Sequence, residues 1–280
     1  MQAHFHGMPA IEWRSADGAR AIATLQGAQL VSWTPPGGEE CLYVSERSPF
    51  EAGMPIRGGI PVVFPQFADR GPLAQHGFAR TQEWTFTGVE ELVEGTRAWF
   101  ALESSPETLA LWPGAFQLVL TATIGGPRLD VEVRVTNVGQ EPFAFNAALH
   151  TYFRVSEAAG VRLHGLRGAR YVVRGETGSG IEARELVGFE EPIDRAYLAT
   201  APVTQLEAAD RILRIAQRGF RDTVVWNPGR ERTARMADMP PEGYRQMLCV
   251  EAAQFEQPVR LESATEWSGG QSIEVRRASG

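Results

Sequence analysis

Short segments that alternate apolar and polar residues dominate the chain. The run "LDVEVRVTN" (Leu129 to Asn137) alternates with period two, which is the pattern of a strand that buries one face. The run "FQLVLTATIG" (Phe116 to Gly125) precedes it, and "GGPR" between them predicts a hairpin turn. The segments "ARAIATLQGAQLVSW", "TRAWFALES" and "GARYVVRG" alternate less cleanly, and we predict strands there too.

Helical periodicity is scarce in this sequence. The segment "PETLALWPG" predicts at most one short helix, ended by Pro113. Turn signals recur between the strand patterns in "PPGGEE", "NVGQEP", "ETGSG" and "NPGRE". Many strands with regular turns predict an all-β sandwich or barrel. No repeat or linker interrupts the pattern, so we expect residues 1–280 to form one antiparallel β domain that carries its ligand at its mouth or on a concave face.

Length and cysteine content limit the kinds of protein to consider. A chain of 280 residues can bury a large core without disulfides or metals. Cys41 and Cys249 form neither a disulfide framework nor a paired metal motif, and Cys249 lies in the apolar run "MLCVEAAQF". We expect two buried thiols in a reducing cytoplasm. No targeting signal and no stretch as long as a membrane span is visible, so we expect no membrane partner.

The charged residues of the chain limit the kinds of ligand that it can bind. A net charge of −7 argues against a nucleic-acid partner, which requires a basic stripe. All 27 Lys+Arg residues are arginine. The chain therefore offers no lysine for a Schiff base, for pyridoxal phosphate attachment or for a Walker-type phosphate site. Any anion that it binds is held by arginine, by backbone N–H groups or by neutral donors.

Four stretches combine polar candidates with apolar surroundings. They are "PIRGGIPVVFPQFADRGPLAQHGFAR" with Arg57, Gln75, His76 and Arg80; "FAFNAALHTYFRV" with His150; "DRAYL" with Asp194; and "MLCVEAAQF" with Glu251. Glu251 is the most informative, because a carboxylate inside an apolar strand is costly unless it is paired or used. Burial raises a carboxyl pKa toward the value that a general acid or base needs near neutral pH.

Each of these candidates has a simpler interpretation. Glu251 would also fit the solvent face of an edge strand, and a histidine such as His150 in an apolar strand is more often a core residue than a catalyst. His76, His150 and Glu251 match a two-histidine, one-carboxylate metal site in type, but they are far apart in sequence. No G-x-S-x-G elbow of a serine hydrolase is present. We therefore predict a site without metal or cofactor.

Seven stretches together carry a resemblance to a known family. In chain order, over about residues 57–254, they are "IRGGIPVVFPQF", "QHGFAR", "NAALHTYFRV", "DRAYL", "VVWNPG", "MADMP" and "MLCVEAAQ". The chain resembles the aldose 1-epimerase superfamily and, more narrowly, its glucose-6-phosphate 1-epimerase branch, the hexose-6-phosphate mutarotases. This resemblance implies a large antiparallel β-sandwich with its site on a concave face.

The resemblance also implies a role for each candidate residue. His150 matches the catalytic histidine of the family and Glu251 its catalytic glutamate. The match implies five substrate-binding positions: Arg57, Gln75, His76, Arg80 and Asp194. The two arginines would bind a phosphate, and His76 would hold the sugar near its ring oxygen. One departure is evident: the lysine that the family usually carries after "WNP" is absent, and Arg232 or Arg235 takes its place.

The implied activity is interconversion of the α and β anomers of hexose 6-phosphates, most of all glucose 6-phosphate. Glu251 would act as the base and His150 as the acid, and neither a metal nor a cofactor is needed. The expected partner is a small sugar phosphate bound to a monomer. Two alternatives stay open: a mutarotase of free aldoses, and a non-catalytic carbohydrate-binding module on the same sandwich.

Overall fold

Antiparallel strands dominate the computed structural model, which describes residues 2–174 and 178–277. In chain order the strands are β1 (Gln2–Phe5), β2 (Met8–Arg14), β3 (Arg20–Thr24), β4 (Leu30–Thr34), β5 (Val62–Val63), β6 (Thr85–Leu92), β7 (Gly95–Glu103), β8 (Phe116–Gly125), β9 (Arg128–Asn137), β10 (Phe143–Leu149), β11 (Tyr152–Arg154), β12 (Arg162–His164), β13 (Arg170–Val173), β14 (Ser179–Ile181), β15 (Val187–Gly188), β16 (Ile193–Leu198), β17 (Val203–Glu207), β18 (Arg211–Arg218), β19 (Asp222–Asn227), β20 (Met247–Leu261) and β21 (Glu266–Arg277). The helices are α1 (Pro106–Leu111), α2 (Gly229–Thr233) and the 3₁₀ turns Ala79–Thr81, Ala158–Gly160 and Gly243–Arg245.

The strands expected from alternation are confirmed. Buried residues alternate with partly exposed ones along all of β8 and most of β9. These strands are joined by a two-residue turn whose first residue, Gly126, has a φ of +53°, a conformation that glycine adopts without strain. The predicted short helix is α1, capped by Ser105, whose hydroxyl accepts a hydrogen bond from the Thr108 N–H. Part of the predicted "ETGSG" turn lies outside the described residues.

Two large sheets and one small sheet make up the fold. The nine-stranded sheet has the order β15-β12-β17-β18-β21-β9-β8-β7-β6, and the eight-stranded sheet has the order β14-β13-β16-β19-β20-β10-β5, with β11 also paired to β20. Strands β1 to β4 form the small sheet in sequential order. Every pairing between these strands is antiparallel. The prediction of a large antiparallel β-sandwich is therefore confirmed.

The main core lies between the two large sheets. Val131 and Val133 of β9 and Leu149 and Val250 of the eight-stranded sheet belong to one continuous apolar cluster. Because successive side chains of a strand point to opposite faces, the intervening residues of the eight-stranded sheet lie on its other face. Two smaller apolar clusters cover that outer face, one around Phe67 and Val224 and one around residues such as Tyr152 and Trp226. The polar candidates lie between these two clusters.

Candidate active site

An interruption in one strand brings the two predicted catalytic residues together. Strand β10 ends at Leu149 and β11 begins at Tyr152, and both pair with β20 in one register, Leu149 with Ala252 and Tyr152 with Cys249. That register places His150 directly across from Glu251. The His150 Nδ1 atom lies 3.4 Å from Glu251 Oε1. The pairing of β10 and β11 with β20 therefore fixes the separation of the two groups.

A small cavity of about 120 Å³ opens above this pair. Five of the predicted site residues line it: Arg57, Gln75, His76, His150 and Asp194. Four other residues also line it: Arg174, Trp226, Arg232 and Met236. The sequence predicted no definite role for any of these four. Glu251 is fully buried beside His150. Gln75 is exposed, so it lies at the rim of the site.

Glu251 is a carboxyl group in a strongly desolvating environment. Its side chain is 0 % exposed, and neither carboxyl oxygen has a hydrogen-bond partner among the described residues. Burial raises the pKa of Glu251 to about 8, although the nearby Arg174 guanidinium lowers it. Glu251 is therefore mostly protonated at neutral pH. The alternative of a solvent-facing edge position is excluded, because β20 is a central strand.

His150 is held as a neutral imidazole. Its ring stacks on Tyr152 with the centroids 4.7 Å apart and contacts Trp226 edge-on. Burial lowers the pKa of His150 well below its ordinary value of 6.5, and the neighbouring His76 and Arg174 lower it further. Since Glu251 has a raised pKa and His150 a lowered one, the pair shares a single proton near neutral pH, and this proton resides mainly on the carboxyl group.

His76 has a fixed orientation and a fixed tautomer. Its φ is +69°, a conformation that is strained for a residue with a side chain. The backbone N–H of His76 donates to the Ala68 carbonyl at 2.9 Å, and the Ala68 N–H donates to His76 Nδ1 at 3.3 Å. A neutral ring that accepts at Nδ1 carries its proton on Nε2. Burial and the nearby arginines keep the pKa of His76 well below its ordinary value, so it is a neutral hydrogen-bond donor.

Gly77 explains why the loop around His76 needs a glycine. Gly77 has a φ of +71°, and a Cβ built there would lie 2.2 Å from the Phe64 carbonyl oxygen. The same carbonyl accepts the N–H groups of Phe78 and Ala79. The close approach of these two backbone segments carries His76 to the cavity, with its ring edge-on to His150 at 5.3 Å.

Arg57 is held by neighbouring polar side chains. Its Nε donates to Asp238 Oδ2 at 3.0 Å, a second nitrogen lies 2.8 Å from the same oxygen, and a third donates to the Tyr152 hydroxyl at 3.1 Å. The guanidinium also lies over the Trp226 ring at 5.9 Å. Its hydrogen bonds and its ion pair with Asp238 fix the direction in which its charge faces the cavity.

Arg80 stands behind His76. One terminal nitrogen donates to the Gln75 carbonyl oxygen at 2.8 Å, and its buried Nε has no partner among the described residues. Among the charged groups that lower the pKa of His76, Arg80 acts most strongly. Arg80 is not one of the described residues that line the cavity. The direct contact of Arg80 with a phosphate stays a prediction.

Asp194 is the acidic partner of two arginines at the cavity wall. Arg232 donates to Asp194 Oδ2 at 3.0 Å, and Arg174 Nε lies 3.5 Å from Oδ1. Arg232 therefore occupies the site, whereas Arg235 pairs with Glu231 on the surface. Arg174 was not predicted. Arg174 directly follows β13, so the alternation of that strand puts it on the same face as Val172, but only the pairing of β13 with β16 places it beside Asp194.

Three potential metal ligands also meet at the floor of the site. Ligand atoms of His150, Cys249 and Glu251 lie within 4.8 Å of one another. The set weighed from the sequence differs in one residue, because it contains His76 where the structure has Cys249. Burial raises the pKa of the Cys249 thiol well above its ordinary value, which disfavours the thiolate that a metal requires.

Within residues 2–174 and 178–277, no helix is long and apolar enough to cross a membrane.

Comparison with known proteins identifies the family of the chain. The aldose 1-epimerase profile matches residues 9–274. The chain belongs to the aldose 1-epimerase family. It is 35% identical over 266 residues to an Escherichia coli K12 protein named "Putative glucose-6-phosphate 1-epimerase", covering 92% of this chain and 87% of that protein. Membership identifies an isomerase of the aldose epimerase type and confirms the resemblance seen in the seven stretches.

Solved structures share the fold of this family member. The crystal structure of a Salmonella typhimurium "putative mutarotase (YeaD)" superposes with a TM-score of 0.91 at 30% identity, covering 99% of this chain and 93% of that chain. A galactose mutarotase related enzyme of Lactobacillus acidophilus superposes with a TM-score of 0.77 at 14% identity, covering 95% and 97%. The second likeness shows that the sandwich is of the galactose mutarotase type.

Replacing the buried carboxyl group is expected to stabilise the protein in a pH-dependent way. The folded-state pKa of Glu251, about 8, lies above the ordinary value of 4.5, so its contribution is fully favourable below pH 4.5 and is lost as the pH rises to 8. The loss amounts to roughly 1.4 kcal/mol per pKa unit. Glu251→Gln should therefore gain stability over wild type as the pH rises from 5 to 8.5, measured by urea unfolding.

The matched control is Glu256→Gln on the same strand. Glu256 is partly exposed and pairs with Arg170 at the surface, so its removal should change stability little at either pH. Equal stability differences between Glu251→Gln and wild type at pH 5 and pH 8.5 would contradict the raised pKa.

Proposed function

We propose that this family member interconverts the α and β anomers of hexose 6-phosphates, with glucose 6-phosphate as the preferred substrate. The observation that carries the proposal is the buried Glu251–His150 pair, 3.4 Å apart, at the floor of a cavity surrounded by arginines. The name of the E. coli relative, "Putative glucose-6-phosphate 1-epimerase", supports the same sugar.

Ring opening requires one base and one acid. The base removes the proton of the C1 hydroxyl, the C1–O5 bond breaks as the aldehyde forms, and the acid delivers a proton to O5. After rotation about C1–C2, the same two groups act in reverse and close the ring on the other face. Glu251 as carboxylate serves as the base and His150 as imidazolium serves as the acid.

This active form has the same number of protons as the resting pair. At rest the single proton resides on Glu251; transfer to His150 across 3.4 Å gives the carboxylate and the imidazolium without exchange with solvent. His76 acts as a neutral donor, and its Nε2–H holds a sugar oxygen near the ring oxygen. Asp194 and Gln75 hold further hydroxyl groups from the wall and the rim.

Local charge supports an anionic sugar. Four arginines, Arg57, Arg80, Arg174 and Arg232, stand around the cavity or directly behind it, against the carboxylates of Asp194 and Asp238. The whole protein carries a net charge of −7, so this positive region is local. Guanidinium groups bind phosphate oxygens in a bidentate manner, and we assign the 6-phosphate to Arg57 and Arg80 with help from Arg232.

Removal of either member of the pair should abolish most of the activity. Glu251→Gln and His150→Asn each are expected to lower kcat by about 10²–10⁴ while the proteins stay folded. The losses should not add in the double variant, because the two groups act as a unit. The assay follows the optical rotation of freshly dissolved α-glucose 6-phosphate. Wild-type kcat in either folded variant would contradict the assignment, and binding without any rate enhancement by wild type would favour a carbohydrate-binding module.

The shared proton predicts the pH profile. The value of kcat/KM should fall above pH about 8, where the pair loses its single proton, because burial raises the pKa of Glu251 to that value. The acid limb should lie below pH 6.5, because the pKa of His150 is lowered. A rate that continues to rise above pH 9 would show that the proton on the pair is not required.

Arginine variants test the preference for a phosphorylated sugar. Arg57→Ala, Arg80→Ala and Arg232→Ala should each lower kcat/KM for glucose 6-phosphate by about 10- to 100-fold, since a charge-assisted hydrogen bond contributes about 1.5–3 kcal/mol. The exposed Arg232 should give the smallest effect. Activity on free glucose should change little.

Arg235→Ala is the matched control for Arg232→Ala. Arg235 lies three residues further along the same segment and pairs with Glu231 away from the cavity, so both sugars should be turned over as by wild type. Equal losses on glucose and glucose 6-phosphate in the Arg57 and Arg80 variants would favour the alternative of a free-aldose mutarotase.

Chelation tests whether a metal takes part. Activity should survive dialysis against EDTA, because acid–base ring opening needs only the two side chains and the arginines around the cavity repel a cation. Loss of activity in EDTA that one divalent metal restores would instead assign a role to the His150, Cys249 and Glu251 ligands.

A further inference from the structure

A buried glutamine of the opposite sheet reaches the backbone beside both members of the pair. Gln271 lies on β21 of the nine-stranded sheet and is 1 % exposed. Its Oε1 accepts a hydrogen bond from the Thr151 hydroxyl at 2.5 Å, and its Nε2 donates to the Val250 carbonyl at 3.0 Å. Thr151 follows His150 and Val250 precedes Glu251. One amide group therefore links the residues next to both groups of the pair.

The interruption between β10 and β11 explains why this amide is needed. In the register of these strands on β20, Thr151 faces Val250. The Thr151 N–H does not complete the ladder; it donates to the Leu149 carbonyl at 3.0 Å. The His150 N–H turns to the other side and donates to the Pro61 carbonyl at 3.0 Å. The Val250 carbonyl oxygen therefore lacks the hydrogen bond that the Thr151 N–H would donate in a regular ladder. The Gln271 amide donates a hydrogen bond to this oxygen instead.

The location of Gln271 argues against a role in packing alone. Its neighbours on the interior face of the sandwich are apolar, among them Ile273 of its own strand and Val250 of the other sheet. Burying an amide there is costly unless both of its ends are hydrogen-bonded, and an aliphatic side chain would fill the same volume without that cost. Both ends of Gln271 are hydrogen-bonded, one to the residue after His150 and the other to the residue before Glu251.

We infer that Gln271 is a positioning residue for the anomerisation. It crosses the core of the sandwich to hold His150 and Glu251 at their working separation. The inference rests on the proposed acid–base function of that pair. Its physical basis is that displacement of a reacting group by about 1 Å costs on the order of 10² in rate, even when the change lies far from the chemistry.

The test replaces the amide by an apolar side chain of similar length. Gln271→Met should lower kcat by about 10- to 100-fold and leave KM within about threefold, because substrate contacts are untouched. Gln271→Glu is the conservative variant: a buried carboxyl group is protonated, so it can accept from Thr151 and donate to Val250, and it should recover most of kcat. Thr151→Val should lower kcat, and the Thr151→Val, Gln271→Met double variant should be no slower than Gln271→Met.

Asn137→Leu serves as the control for loss of a buried amide. Asn137 is 0 % exposed and donates to the Glu141 and Leu261 carbonyls, away from the site. It should lose thermal stability as Gln271→Met does but keep wild-type kcat at a temperature where both are folded. Wild-type kcat in Gln271→Met, or an equal loss of kcat in Asn137→Leu, would overturn the inference.

A crystal structure of Gln271→Met separates this inference from the proposed function. The His150 Nδ1 to Glu251 Oε1 separation should depart from 3.4 Å by about 1 Å, whether or not the wild-type protein acts on a hexose phosphate. An unchanged separation would overturn the positioning role. An inactive wild type with a displaced pair in the variant would instead count against the proposed function alone.

Discussion

The site depends on the register of one strand against its neighbour. Because β10 and β11 continue a single register on β20, His150 and Glu251 come directly opposite each other at the centre of a sheet. A shift of β10 and β11 by one residue would turn His150 into the sandwich interior and separate it from Glu251. The central position also removes the carboxyl group from water, and this desolvation raises the pKa of Glu251 and so determines how the pair shares its proton.

Charged groups around the pair act in opposite directions on the pKa of Glu251. Arg174 favours the carboxylate form of Glu251, while Asp194 and burial oppose it. Burial, with a smaller contribution from the neighbouring arginines, lowers the pKa of both His76 and His150, so His76 can donate a hydrogen bond without competing for the proton of the pair. Without Asp194, the Arg174 guanidinium would lower the pKa of Glu251 further against the effect of burial. Asp194 therefore affects the proton of the pair as well as the position of the arginines, whereas Asp238 holds Arg57.

Prediction from sequence succeeded where the information is local. The alternation in Phe116–Gly125 gives β8, because a strand buried on one face has period two. Glu251 was evident because a carboxylate interrupts an apolar run. Arg174 was missed because its role depends on β13 lying next to β16, a pairing between distant segments that no local pattern reveals. Gln271 was missed for the same reason: only the packing of the two sheets shows what its amide reaches.

The parts of the site differ in how freely they can change. The pair is fixed by strand register, and a displacement of either segment also strains the hydrogen bonds of Gln271 from the other sheet. The His76 loop and the segment of Arg232 are attached to the sheet from outside, by the contact at Gly77 and by the ion pair with Asp194. Loops of this kind can exchange side chains without disturbing the core. A fold built in this way can keep the acid–base pair in place while the residues of the attached loops, and with them the charge at the cavity, change.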